Sequence, residues 1–190
     1  MGLVLSQQPD ADALLDRDPL ALLIGMVLDQ QIPLEKAFFG PYDLARRLGH
    51  DLDAQELADY DPAALGELFA TPPAIHRFPK SMSKRVQEVC RVLVDTYAGD
   101  ASAVWRDAHD GKDLLRRVSG LPGFGEQKAR IFVALLGKQQ GVTPPGWREA
   151  AGTYGEEGSY RSVADIVDAD TLGRVREYKK QMKAAAKVKG

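Results

Sequence analysis

Cysteine is almost absent from this chain of 190 residues, Cys90 being the only one. A single thiol excludes an internal disulfide and any iron–sulfur cluster that needs four cysteine ligands. Histidine is scarce too, three in all, with no acidic partner at ligand spacing, so no metal site is read. No apolar run reaches membrane-spanning length and no leader segment is recognised. The sequence therefore predicts a soluble, cytoplasmic protein without a membrane partner. No alternating strand-type pattern, internal repeat or long low-complexity segment is present.

What the chain does have is helical periodicity. Hydrophobic residues make up 44% of it, enough to bury a core in one or two small domains. Helical patterns run through 19–30, 41–48, 62–70, 82–97, 111–119, 126–137 and 171–187. Breaks are expected at Gly40-Pro41, Thr71-Pro72-Pro73, Gly99-Asp100 and Thr143-Pro144-Pro145-Gly146. The expectation is an all-α fold. Cys90, among Val86, Val89, Val92 and Leu93, reads as a small buried apolar residue.

The most informative stretch is Leu121-Pro122-Gly123-Phe124-Gly125, which runs into Glu126-Gln127-Lys128-Ala129-Arg130. Apolar residues recur at helical spacing on both sides of it, so 113–137 reads as two helices joined by a hairpin. Pro122 ends the first helix, and the two glycines permit unusual backbone angles and close approaches. Unpaired N–H groups of the turn and of the next helix's first turn make an anion site, which the helix dipole reinforces. A nucleic-acid phosphate fits such a site, with Lys128 adding a charge. The same pattern also serves as a plain corner between two helices.

The net charge of −2 counts mildly against a nucleic-acid partner, but charge is unevenly spread. Asp51, Asp53, Glu56, Asp59, Asp61 and Glu67 form an acidic stretch. Arg174, Arg176, Lys179, Lys180, Lys183, Lys187 and Lys189 make a basic C-terminal helix. That helix reads either as a DNA contact or, more simply, as a solvated terminal helix.

These residues resemble a known family. The hairpin is similar to the helix-hairpin-helix of the HhH-GPD DNA glycosylase superfamily, which includes endonuclease III, the adenine mismatch glycosylases and the 3-methyladenine glycosylases. Pro19 to Gln31 is similar to the helix that opens their six-helix domain and ends in a glutamine facing DNA, here Gln31. Ser81 to Cys90 occupies the place of the helix leading toward the hairpin. The resemblance covers about residues 19 to 140 and keeps the family's order, as an atypical small bacterial member would. It implies an endonuclease III-like fold with a central domain over 19–120, a second helical subdomain from 1–18 plus 121–190, and a cleft between them. It also implies a monomer that works on double-stranded DNA in the nucleoid without a cofactor.

The implied activity is base-excision repair, in which a nucleotide is rotated out of the duplex and side chains fill the gap. Gly123, Phe124, Gly125, Gln127 and Lys128 are the candidate DNA contacts of the hairpin, and Gln31 the candidate filler. Arg77, Phe78 and Lys80 come from a proline-held loop in which Phe78 is either a wedge or a core residue beside solvated cations. His76 by itself reads as a satisfied or surface histidine.

The chain departs from the family twice. Bifunctional members carry a lysine two positions after the second hairpin glycine, and it forms a Schiff base with the sugar. Gln127 stands there, and Lys128, about 100° farther around the helix, is expected to point elsewhere. A monofunctional glycosylase without lyase activity is therefore expected. Members also place an aspartate in a downstream Gly/Pro loop, which lands here near Pro144-Pro145-Gly146-Trp147, without an acid. Asp29 and Glu149 are the candidate replacements, although each also reads as an ordinary helix-terminal carboxylate. Should neither serve, the alternative is a catalytically silent lesion-binding or repair-accessory protein. Trp147, Tyr154 and Tyr160 either stack on an extruded base or pin their segment to the core.

Overall fold

The computed structural model describes residues 2–190 and contains no strand among them. Its helices are α1 (Pro9–Arg17), α2 (Pro19–Leu28), α3 (Leu34–Leu48), α4 (Ala54–Asp59), α5 (Pro62–Ala70), α6 (Pro79–Tyr97), α7 (Ala103–Arg106), α8 (Gly111–Ser119), α9 (Glu126–Gln139), α10 (Trp147–Ala151) and α11 (Ala169–Val188). Short 3-10 turns occur at Gly152–Gly155 and Val163–Asp165. The fold is all-α, in keeping with the periodicity.

Helix starts follow local chemistry. Proline occupies the first turn of α1, α2, α5 and α6, where its missing N–H has no partner to lose. Asp18, Asp53, Asp61, Asp110 and Asp168 cap α2, α4, α5, α8 and α11 by accepting first-turn amides. Part of the acidic stretch, Asp53 and Asp61, is thus explained by helix capping.

Helix α2 is buried from Leu20 to Leu28, as a helix apolar on all sides must be, and α1, α3 and α6 cover it. Its contact with α3 is a pair of reciprocal notches. A β-carbon on Gly25 would lie 2.5 Å from Phe38 Cδ1, and one on Gly40 would lie 2.5 Å from Leu28 Cδ1. These notches account for a correction: the break expected at Gly40-Pro41 does not occur, and α3 runs straight through both residues. An internal proline costs a helix about 3 kcal/mol. Burying Leu34, Phe38 and Leu44 returns roughly 1.5–3 kcal/mol each, so packing outweighs the local penalty.

Helices α4 and α5 pack on α6, while α7 and α10 pack on α8, and α8, α10 and the two 3-10 turns gather around α9. The apolar core is continuous from Leu3 to Val175. Cys90 lies within it fully buried, where loss of solvation pushes its thiol up to about 12. Lys138 Nζ donates to Asp165 Oδ1 at 2.6 Å and to Glu156 O at 2.7 Å, fastening the 156–165 segment to α9. Trp147 sits on Gly137, where any side chain would collide with the ring, and Tyr154 packs against the core. Those two aromatics pin their segment. Tyr160 stays at the surface beneath the Arg174 guanidinium, 4.8 Å from the ring centroid.

Candidate nucleic-acid interface

The two hairpin glycines have different reasons to be glycine. Gly123 has φ +83°, the left-handed region that favours glycine, and a β-carbon there would lie 2.8 Å from Arg85 Nη1. Gly125 has φ −69° and ψ 176°, backbone that any residue adopts, and nothing lies within 4 Å of a β-carbon built on it. The fold makes no demand for glycine at 125. As the N-cap of α9 it supplies no side-chain acceptor, and the helix's first bond runs from Ala129 N–H to Gly125 O at 2.9 Å. The first-turn amides of α9 therefore lie on an exposed surface without a capping group. Phe124 is the exception among the expected hairpin contacts. Its ring is buried against Phe132, 6.0 Å between centroids, and its N–H donates to Leu121 O.

Beside this turn, reaching it only at Gln127 and Lys128 of α9, a cleft of about 1130 Å³ opens between the end of α2, the 29–35 segment, the start of α9 and the face of α11. Asp29, Gln31, Arg77, Gln127 and Lys128 all line it. So do Arg176, Lys179, Lys180, Lys183 and Lys187, which brings seven cationic side chains together with only two carboxylates, Asp29 and Glu35. The molecule's net charge of −2 conceals this concentration of positive charge.

The expectation that Lys128 turns away from the cleft is not met. Lys128 Nζ donates to Val27 O at 3.2 Å and to Gln30 Oε1 at 3.3 Å. Its four-carbon stem reaches across, and the carbonyls at the C-terminus of α2 attract a cation there. Gln127, also at the cleft, directs its amide to the 152–155 turn, Nε2 donating to Tyr154 Oη at 2.9 Å. Burial pushes the Lys128 ammonium below its usual range; Asp29 opposes that shift and Arg85 adds to it. Burial likewise pushes the Asp29 carboxyl up, against the pull of Lys179 and Lys128. For both groups lost hydration outweighs mutual attraction.

His76 builds the other side of this wall. The imidazole is fully buried; Nε2–H donates to Leu28 O at 3.1 Å and Gln30 O at 3.0 Å, while Nδ1 accepts the Phe78 N–H at 2.9 Å. Only the neutral ring with hydrogen on Nε2 satisfies all three. Burial pushes its pKa down, against the two carbonyls. One ring thereby ties the turn that carries Asp29 and Gln31 to the loop that carries Arg77 and Phe78. Gln31 is held at φ +59°, a costly backbone state for a residue with a side chain. Phe78 is 40% exposed, with Arg77 over its ring at 5.3 Å.

Two expected site residues lie elsewhere. Lys80 lines the groove between α5 and α6 and pairs with Glu67 at 3.7 Å. Glu149 is exposed on the first turn of α10 and does not line the cleft. Arg85, beside Gly123, and Gln30 carry no signal of their own in the sequence, and only their flanking motifs point to them. The α11 cations do carry one, in their spacing. No family model, curated protein or solved structure matches this chain.

Proposed function

We propose that the protein is a DNA base-excision repair protein on an endonuclease III-like helix-hairpin-helix fold, a monofunctional glycosylase for a damaged or alkylated base. One observation carries the reading. The uncapped amides at Gly125 and the first turn of α9 adjoin, at Gln127 and Lys128, a cationic cleft at whose wall Asp29 and Gln31 stand. In this reading a backbone phosphate docks on those amides, Gln31 and Phe78 enter the duplex, and the target nucleotide swings into the cleft.

Asp29 is the group we assign to catalysis. Ionised, it faces positive charge growing on the anomeric carbon as the C1′–N bond breaks and its electron pair leaves with the base. Preorganised charge in a partly dehydrated site is worth several kcal/mol in such a step. Water then adds to C1′ and passes its proton to the Asp29 carboxylate, which returns it to solvent. A base that is already cationic is neutralised by the departing electron pair, so an alkylated purine needs no acid. Lys128, held as a donor to Val27 O and Gln30 Oε1, acts as a DNA contact and not as an attacking amine.

The test uses duplexes carrying uracil, 8-oxoguanine, mismatched adenine or alkylated purines, followed by hot alkali. Alkali-dependent breaks at one lesion, abolished in Asp29→Asn, are expected. Tight, salt-sensitive binding with no breaks on any lesion would favour the silent accessory protein, for which the acid-free 144–147 segment argues. Absence of binding to every duplex would remove both readings.

A further inference from the structure

The last three turns of α11 have no packing role. Only Leu172 and Val175 of that helix are buried, and everything from Lys179 onward is exposed. Its cations are nonetheless ordered. Arg176, Lys179, Lys180, Lys183 and Lys187 follow one another at spacings that place them on one face of the helix, and that face lines the cleft. Like charges at such spacings each cost a free helix a few tenths of a kcal/mol. Packing offers nothing in return, so the arrangement suits an anion that the free molecule does not contain. Among the described residues Arg176 alone of the five is in an ion pair, with Glu35 in the first turn of α3, and Lys179 acts on Asp29 only from a distance.

Geometry favours a nucleic-acid backbone as that anion. From Arg176 to Lys187 the stripe rises about 16 Å, the axial length of roughly five base pairs. Gln127 and Lys128 of the first turn of α9 line the same cleft, so a duplex that meets the stripe also meets the donors of that turn. We propose that the α11 stripe is a second anchor for the sugar–phosphate backbone of double-stranded DNA. The Arg176–Glu35 ion pair is then a latch that holds the helix at the cleft rim until phosphates replace Glu35. This inference rests on the DNA reading above but assigns a contact that the hairpin does not need.

The experiment measures affinity of the full chain for a fluorescent duplex across a salt series. One variant combines Lys179→Gln, Lys180→Gln, Lys183→Gln and Lys187→Gln. A control of equal charge change combines Arg17→Gln, Arg46→Gln, Lys84→Gln and Lys112→Gln, all exposed and outside both the cleft and α11. The stripe variant is expected to lower the slope of log affinity against log salt by about 3–4, and the control by less than about 1. The control should keep the wild-type melting temperature, because its side chains are exposed, and the stripe variant should keep or slightly raise it, because like-charge repulsion along α11 is relieved. Glu35→Gln, which frees Arg176, is expected to tighten binding several-fold. Equal slope losses in the two combinations would reduce the stripe to bulk charge and overturn the inference. So would tighter binding by the stripe variant, which would make α11 an obstructing strap, or loss of binding to anionic vesicles but not to DNA. A wild-type slope in the stripe variant overturns the anchor and leaves the hairpin reading intact; a wild type that ignores duplex DNA defeats both.

Discussion

Gly125→Asp separates stability from binding in opposite directions. The wild-type backbone at 125 already has N-cap geometry, with open space for a side chain. An aspartate there would accept the first-turn amides of α9 itself. Better capping than glycine contributes a few tenths of a kcal/mol, charge at the helix N-terminus about 0.3–1, and reduced freedom of the unfolded chain about 0.4–1. The sum is about 1–2 kcal/mol, which raises Tm by roughly 2–8 °C in a chain of this size. DNA meets the reverse. A carboxylate then occupies the amides that a phosphate needs, and two charge-assisted hydrogen bonds at about 1.5–3 kcal/mol each amount to a loss of at least ~100-fold in affinity. Thermal denaturation and fluorescence anisotropy at about 100 mM salt read the two effects on one sample. A more stable Gly125→Asp that binds duplex DNA within threefold of wild type would refute the phosphate site at this turn. Gly125→Ala, with only a methyl group in the approach, is expected to fall between the two.

Three further outcomes follow from the cleft. Asp29→Asn should abolish base release yet raise Tm at neutral pH. The folded carboxyl is shifted above its ordinary value of 3.8, so its ionisation opposes folding at higher pH, by about 1.4 kcal/mol for every tenfold weakening of the acid. Below that ordinary value both states hold the proton, and the variant's advantage should vanish; a gain independent of pH would contradict the burial argument. His76→Ala removes three hydrogen bonds and a buried ring and should cost about 2–4 kcal/mol in urea unfolding. Because the folded pKa of His76 lies below its ordinary 6.5, wild-type stability should decline as pH drops through that value, and that part of the decline should be missing in His76→Ala. Gln31→Gly relieves a left-handed backbone and should stabilise the fold by about 1 kcal/mol, while lesion processing falls; undiminished processing would remove Gln31 as the gap filler.

The long helices are legible because their burial is one-sided or total, and both patterns survive in a linear reading. Helices α1, α4 and α7 escape it; α4 and α7 span six and four residues, pieces set by caps and neighbours more than by periodicity, whereas α1, as long as α5 and α8, opens on Pro9-Asp10-Ala11-Asp12, which gives little apolar repeat. Gly40-Pro41 misleads for the opposite reason, since its local signal is genuine and loses to Leu28 and Ile75, residues brought to it by the fold. At the candidate site the hairpin and Gln31 can be found from motif order. His76 cannot, because its partners are main-chain atoms 46 and 48 positions away and leave no pattern in side-chain chemistry. Helix angle alone turns Lys128 outward, because it ignores the reach of a lysine stem. The α11 stripe is visible in its spacing, but nothing in the sequence says which way a weakly anchored helix faces.

The paired notches at Gly25 and Gly40 bear on movement. Phe38 and Leu28 each occupy the space of a missing side chain on the opposing helix, so α2 can neither slide nor rotate along α3 without steric overlap. Its carboxyl end is a fixed post. His76 ties the 75–79 loop to that same post, so whatever rearrangement accompanies capture of a ligand has to come from the thinly seated α11, while the acid it closes upon keeps its position.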